Sequence, residues 1–182
     1  MIINDVGIID LDISNIGSLI NTISTLNFNC LKIKNPEDIN KFKKIIIPGV
    51  GSYDIAMSNI KNRNWLRHIK NYVQNPSNYL LGICLGMQIL SSVGFENNKE
   101  TKGLDVIEGE VDNLLNKGCK LQLPHIGWNE VSFLENSEPL TSGIPNKSDF
   151  YFVHNFGFFA ENKENIIGQT HYDCTFASIV RK

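Results

Sequence analysis

The sequence lacks the features of membrane proteins and of nucleic-acid-binding proteins. No apolar run in its 182 residues approaches the roughly 20 residues needed to cross a bilayer, and the start, Met1 to Asp5, has no basic residue of a signal peptide. Lysine and arginine never gather into a stripe, and the formal net charge is only -2. We therefore expect a cytoplasmic protein that binds neither membrane nor nucleic acid, and small-molecule chemistry fits better.

Cysteine is scarce and scattered along the chain. The four residues, Cys30, Cys84, Cys119 and Cys174, form no C-x-x-C pair and have no histidine at zinc-binding spacing. This argues against a disulfide framework and predicts no metal site, so we expect reduced thiols. A reduced thiol is available as a nucleophile.

Repeats, low-complexity tracts and flexible linkers are also missing. A chain of this length with 42% hydrophobic residues can bury one substantial core. We therefore expect one domain over residues 1–182.

The first half alternates apolar runs with segments of helical periodicity, which predicts an α/β fold with a mixed, mainly parallel sheet flanked by helices. The predicted strands are 6–9, 30–33, 45–47 and 79–83, and the predicted helices are 16–26, a short one from 36, one ending near 61, and 65–73. From Gly103 onward, strands at 106–111, 130–134, 150–158, 166–171 and 176–180 predict an antiparallel or mixed second half.

The segment from Gly82 to Gly86 reads G-x-C-x-G around Cys84, between a predicted strand and a predicted helix over 87–92. This is the pattern of a nucleophile elbow, in which glycines permit a sharp turn that exposes the nucleophile above the strand end. The positive end of the following helix favours the thiolate form. A buried structural cysteine between two packing glycines is the alternative, and the pentapeptide alone does not decide between them.

Pro48-Gly49-Val50-Gly51 follows another buried strand. A tetrahedral intermediate of acyl transfer needs backbone N–H groups aimed at its oxygen, and glycine lets a backbone approach closely. An ordinary loop is the alternative for this segment taken alone. Together with the elbow, it predicts an acyl-transfer site at the carboxyl edge of the sheet.

Two further motifs make the resemblance specific. Pro124-His125-Ile126-Gly127-Trp128-Asn129 and Tyr151-Phe152-Val153-His154 join the first two in the order and spacing of the class I glutamine amidotransferases that serve histidine biosynthesis. The sequence resembles this family over essentially its whole length. The resemblance implies a flavodoxin-like fold, hydrolysis of L-glutamine to glutamate and ammonia through a cysteinyl thioester, and no cofactor.

The resemblance also implies roles for single residues. Cys84 matches the nucleophile. Oxyanion and substrate-binding positions match Gly49, Val50, Gly51, Leu85, Gln88, His154 and Asn155. Without the resemblance, Gln88 would be read as an ordinary polar residue of a helix.

The resemblance implies an ammonia-accepting synthase partner, a (β/α)8-barrel cyclase. The matching interface positions are Asp12, Ser14, Asn15, His125 and Trp128. A tryptophan in a strand is more often a core residue, which is the alternative for Trp128.

Three departures from the family pattern limit the transfer of roles. Asn155-Phe156 stands where the family has Ser or Thr followed by Tyr, and the loop from Asp10 to Asn15 lacks the family's aromatic and glycines. The family's His-Pro-Glu motif does not occur, and the sequence stops at Arg181-Lys182, so a C-terminal strand, the catalytic pair and a last helix are expected to be missing. Two alternatives therefore stay open: a paralogue supplying ammonia for amidination of a nucleotide-linked sugar, and an inactive subunit that keeps only fold and partner binding.

Overall fold

A four-stranded parallel sheet forms the first half of the chain in the computed structural model, which describes residues 3–12, 16–97, 99–134, 137 and 139–182. Its strands are β1 (Ile3–Ile9), β2 (Cys30–Ile33), β3 (Phe42–Gly49) and β4 (Tyr79–Cys84), in the order β2-β1-β3-β4. All three pairings are parallel. This is the flavodoxin-like strand order, so the predicted α/β fold is confirmed.

Helices cover both faces of this sheet because successive strand residues point to opposite sides. The helix α1 (Ile16–Thr25) packs on the face that carries Ile8 and Ile46. Two more helices, α2 (Tyr53–Asn62) and α3 (Trp65–Val73), cover the opposite face, which carries Ile9, Ile45 and Ile47. The predicted helix from Pro36 is a 3-10 turn, Pro36–Lys41. No helix among the described residues is long and apolar enough to cross a bilayer.

An eight-stranded sheet forms the second half. Its strands are β5 (Val93–Glu96), β6 (Lys99–Lys102), β7 (Gly109–Asn113), β8 (His125–Phe133), β9 (Ser148–His154), β10 (Phe156–Ala160), β11 (Ile166–Tyr172) and β12 (Cys174–Val180). Their order is β6-β5-β7-β10-β12-β11-β8-β9. Every pairing is antiparallel except that of β5 with β7, which confirms the antiparallel or mixed second half.

Two strand predictions in this half were incomplete. The hairpin of β5 and β6 was not predicted, because each strand has only four residues and those of β6 are all polar. The strand predicted over 150–158 is two strands, because the chain leaves β8 after His154 and pairs with β7 from Phe156. The change of partner at Asn155 depends on where β7 and β8 lie, which local sequence does not reveal.

The helix predicted over 87–92 is wrong in length and position. The helix α4 spans only Leu85–Gln88. The carbonyls of Ile89 and Leu90 accept hydrogen bonds from the N–H groups of Leu104 and Val106, at 2.8 and 2.9 Å. Those carbonyls are thus paired with a neighbouring loop, and the same loop delays the start of β7 to Gly109 rather than 106.

Candidate active site

Cys84 occupies the sharp turn between β4 and α4. Its backbone lies at φ 56° and ψ -117°, a region that costs a non-glycine residue on the order of 1–3 kcal/mol. The residue is exposed, and it stands opposite Gly49 in the pairing of β3 with β4. Strained backbone at an exposed thiol, beside the end of a neighbouring strand, is the geometry of a nucleophile elbow.

Two glycines make this turn sterically feasible. A Cβ atom on Gly86 would lie 1.8 Å from the carbonyl oxygen of Ile47 in β3. A Cβ atom on Gly82 would lie 2.4 Å from the carbonyl oxygen of Gly86. The elbow therefore packs backbone against backbone, and no side chain fits at either position.

The predicted oxyanion turn, Gly49 to Gly51, begins beside Cys84. Gly51 has φ +104°, which favours glycine, and Val50 is exposed. Leu85 is buried, and its side chain packs against Gly49. The backbone N–H groups of the turn and of α4 are thus brought to the carboxyl end of β3 and β4.

Glu96 in β5 supports the same region and was not singled out from the sequence. Its Oε2 accepts a hydrogen bond from the backbone N–H of Tyr53, the first residue of α2, at 2.5 Å. The Tyr53 hydroxyl in turn bonds the Ser91 hydroxyl at 2.8 Å. Burial raises the pKa of Tyr53 to about 12, and the bond to Ser91 opposes that shift. Only the tertiary pairing of β5 reveals the contact of Glu96.

A cavity of about 1420 Å³ opens at Cys84. Gln88 and His154 also line it, so the structure gathers three of the predicted site residues there. Asn155 is exposed and does not line the cavity, so the structure gives no support to its predicted substrate contact. Residues of both β4 and β9, each the last strand of its sheet, border the same space.

Gln88 is held by a carbonyl of the other sheet. Its Nε2 donates to the Phe156 carbonyl oxygen at 3.0 Å. The amide oxygen of Gln88 can only accept hydrogen bonds.

His154 contacts a second histidine. Its Nδ1 lies 2.9 Å from the Phe156 carbonyl oxygen, and its Nε2 lies 2.9 Å from Nδ1 of His125. Burial lowers the pKa of His154 below its ordinary value, and the bond to Phe156 opposes this only in part. Burial also lowers the pKa of His125, and the neighbouring His154 adds to the effect.

The predicted interface residues Trp128 and His125 point to opposite faces of the β8–β9 pair. Trp128 is 73% exposed and packs edge-on against Tyr151. Ile126 and Val153 are exposed on the same face, which we call the outer face. His125 is 2% exposed on the inner side, so its side chain does not reach the outer face, and its place at an interface stays a prediction. Strand residues alternate in direction, and His125 is three positions from Trp128.

The loop after β1 contains the other predicted interface residues. Asp12 has φ 58° and is exposed, and its carboxylate accepts a hydrogen bond from Arg63 Nη1 at 2.8 Å. The same Arg63 nitrogen donates to the Asp10 carbonyl oxygen at 2.9 Å. Ser14 and Asn15 lie outside the described residues.

Sequence comparison assigns the chain that forms this site to a known family. A profile of the SNO glutamine amidotransferase family matches residues 14–114. The chain belongs to the glutamine amidotransferases. Imidazole glycerol phosphate synthase subunit HisH 1 of Prochlorococcus marinus (strain MIT 9313) is 36% identical to it over 177 residues, which are 95% of this chain and 82% of that protein. The HisH subunit of Pelagibacter ubique (strain HTCC1062) is 35% identical over 182 residues, 98% of this chain and 86% of that protein.

Solved structures agree on the fold at low sequence identity. A crystal structure of a glutamine amidotransferase has a TM-score of 0.69 at 15% identity, over 91% of this chain and 84% of its own. The structure of PurLQS from Thermotoga maritima has a TM-score of 0.67 at 14% identity, over 94% of this chain and 76% of its own. The amidotransferase architecture implied by the motifs is therefore confirmed.

Proposed function

We propose that the chain is the glutaminase subunit of an imidazole glycerol phosphate synthase, which hydrolyses L-glutamine and supplies ammonia to a separate (β/α)8-barrel cyclase. The strained, exposed Cys84 beside the glycine turn carries the proposal. Relatives from several organisms bear the name of that synthase subunit, which favours the histidine pathway over amidination of a nucleotide-linked sugar.

The chemistry follows from the thiol and the turn. The Cys84 sulfur attacks the carboxamide carbon of glutamine, and N–H groups of Gly49 to Gly51 and Leu85 stabilise the oxyanion. The C–N bond breaks as the amide nitrogen takes up the proton that the thiol lost and leaves as ammonia, and the glutamyl group stays on the Cys84 sulfur as a thioester. Water then cleaves the thioester, releases glutamate and restores the thiol.

A base is needed to take the thiol proton, but no basic side chain among the described residues forms a hydrogen bond with the Cys84 sulfur. The Cys84 sulfur makes no hydrogen bond within the described part of the chain. His154 lines the same cavity, but its two nitrogens bond the Phe156 carbonyl and the His125 ring. With its lone pair already engaged, His154 is a poor general base for the thiol.

The first experiment identifies the nucleophile with a glutamine analogue that carries an electrophilic carbon in place of the amide. Mass spectrometry is expected to find the label on Cys84 alone. Iodoacetamide serves as the control for plain exposure, and L-glutamine but not D-glutamine should protect Cys84 from it. Labelling spread evenly over Cys30, Cys119 and Cys174 would refute the assignment.

The second experiment separates a catalytic from a non-catalytic subunit. The second candidate is a subunit that folds and docks but hydrolyses little. Glutamate release by the 182-residue chain is expected to be on the order of 10⁴-fold below that of a chain extended by a strand bearing His-Pro-Glu. Full activity of the short chain, abolished by Cys84→Ala, would require His154 or His125 to be the base.

A further inference from the structure

The histidine pair lies in a hydrogen-bond chain that ends at the glutamine site. Gln88 and His154 both donate to the carbonyl oxygen of Phe156, which has one lone pair for each. His154 bonds His125 in β8, and His125 Nε2 lies 3.3 Å from the amide nitrogen of Asn129. The chain thus runs from α4, beside the nucleophile, into the β8–β9 pair.

The hydrogen-bond partners allow only one position for the proton of each neutral imidazole ring. The carbonyl of Phe156 can only accept, so His154 carries its proton on Nδ1. The Nε2 of a neutral His154 is then an acceptor, and His125 must donate to it from Nδ1. This leaves His125 Nε2 as the acceptor for the next donor.

Hydrogen bonds to residues other than the two histidines orient the Asn129 amide so that its nitrogen faces His125. Its Oδ1 accepts from the backbone N–H of Glu130 at 2.8 Å. Its Nδ2 donates to the carbonyl oxygen of His171 at 3.1 Å, and the second hydrogen of Nδ2 is directed to His125. The direction of donation is therefore the same from Asn129 to Phe156.

Aromatic rings enclose the pair. His125 stacks between Tyr172 and Phe152, with ring centroids 4.0 and 5.0 Å away. Phe176 meets both imidazoles edge-on. An enclosure of this kind disfavours a charged ring.

Few titratable groups surround the pair. The Tyr172 hydroxyl donates away from it, to the Gln122 carbonyl oxygen at 2.8 Å. The thiols of Cys119 and Cys174 belong to the same apolar cluster. Among the described residues, no carboxylate or ammonium group contributes to the pKa shift of either imidazole.

We propose that His125 is a positioning residue, which acts through a neutral His154 and the Phe156 carbonyl to orient the Gln88 amide for glutamine. The inference rests on the proposed function. With its nitrogen held by Phe156, Gln88 turns its oxygen toward the ligand. Without His125, the Nδ1 proton of His154 is no longer fixed by a second ring, so the Phe156 carbonyl that anchors Gln88 loses a fixed second donor.

An additional proton on the histidine pair breaks the hydrogen-bond chain, whichever ring nitrogen carries it. A proton on His154 Nε2 opposes the Nδ1 proton of His125. If His125 moves its proton to Nε2, that proton opposes the amide hydrogen of Asn129. Either arrangement removes at least one link of the hydrogen-bond chain.

The test compares His125→Phe with His125→Asn in the 182-residue chain. Phenylalanine keeps the stacking but donates nothing, whereas the asparagine amide nitrogen takes about the place of Nδ1. Glutamine affinity is measured by protection of Cys84 from iodoacetamide. We expect about tenfold weaker binding for His125→Phe, the size of one lost hydrogen bond, and less than about threefold for His125→Asn.

The outcomes separate this inference from the proposed function. Unchanged affinity in His125→Phe, or equal losses in the two variants, would overturn the positioning role alone. Failure of glutamine to protect Cys84 in the unaltered chain would overturn the proposed function and the role with it.

A spectroscopic measurement tests the pair independently of any variant's folding. Nitrogen-15 NMR of the unaltered chain at pH 7 is expected to show both rings neutral with the proton on Nδ1. A ring protonated at Nε2, or a charged ring at that pH, would overturn the inferred direction of donation.

Discussion

The parallel and the antiparallel sheet carry their functional groups in different ways. In the parallel sheet, the proposed nucleophile and the proposed oxyanion turn come from two short segments, 82–86 and 48–51, at the ends of adjacent strands. In the antiparallel sheet, the histidine pair is assembled from β8 and β9 and enclosed by residues of β11 and β12. Local backbone requirements define the first kind of site, and strand pairing defines the second.

The largest contrast should appear between the two tryptophans. Trp65 in α3 is fully buried against the parallel sheet, and its Nε1 has no hydrogen-bond partner among the described residues, so its contribution is packing. Trp65→Ala is expected to lower the free energy of unfolding by about 3–5 kcal/mol. Trp128→Ala should cost less than about 1 kcal/mol, because it removes one cross-strand ring contact. Urea unfolding measures the free energy of unfolding of both variants. Similar losses would contradict the assignment of Trp65 to the core and of Trp128 to the surface.

A smaller loss tests the backbone requirement of the elbow. Gly86→Ala places a Cβ atom 1.8 Å from the Ile47 carbonyl oxygen, so β3 and α4 must separate. We expect a loss of about 3 kcal/mol in the free energy of unfolding. Gly49→Ala is the matched control, since its nearest contact is the Leu85 side chain at 3.1 Å, and should cost about 1 kcal/mol. The reverse order would mean that the elbow can relax.

The outer face of the antiparallel sheet should matter for partner binding more than for folding. Trp128→Ala is expected to weaken association with the ammonia-accepting synthase by about 2 kcal/mol, or roughly 30-fold, as for a central aromatic of an interface. Lys61→Ala in α2 serves as the distant surface control. Equal affinities of the two variants, measured by calorimetry, would leave Trp128 without an interfacial role.

The smallest expected effect is a pH dependence of stability. The pKa values of His125 and His154 are lowered in the fold, so the unfolded chain binds more protons once the pH falls below about 6.5. Stability should therefore decrease from about pH 6.5 downward, until the pH reaches the folded-state pKa values. His125→Phe should make this decrease shallower in urea titrations at several pH values. A steeper decrease in the variant would contradict the neutral pair.

Strand and helix positions in the parallel half were predictable because each element has its own hydrophobic periodicity, and some are bounded by proline or glycine, such as Pro36 and Gly51. Helix α3 was predicted with its observed bounds. The shortness of α4 was not, because the 104–107 loop bonds the Ile89 and Leu90 carbonyls from a distance of more than ten residues. Similarly, the contact of Glu96 with α2 depends on β5, whose four residues are too few to give a strand signal.

The sequence was enough to place Cys84, its glycines and the oxyanion turn, because the steric demands of a tight turn are written in consecutive residues. It was also enough to match His154 to a motif, but not to find what that residue bonds. The partnership of His125 and His154, residues 29 positions apart, arises from the register of β8 with β9, and the same register turns Trp128 outward and His125 inward. Register depends on the patterns of both paired strands and on the connection between them, so the sequence around either histidine alone does not specify it.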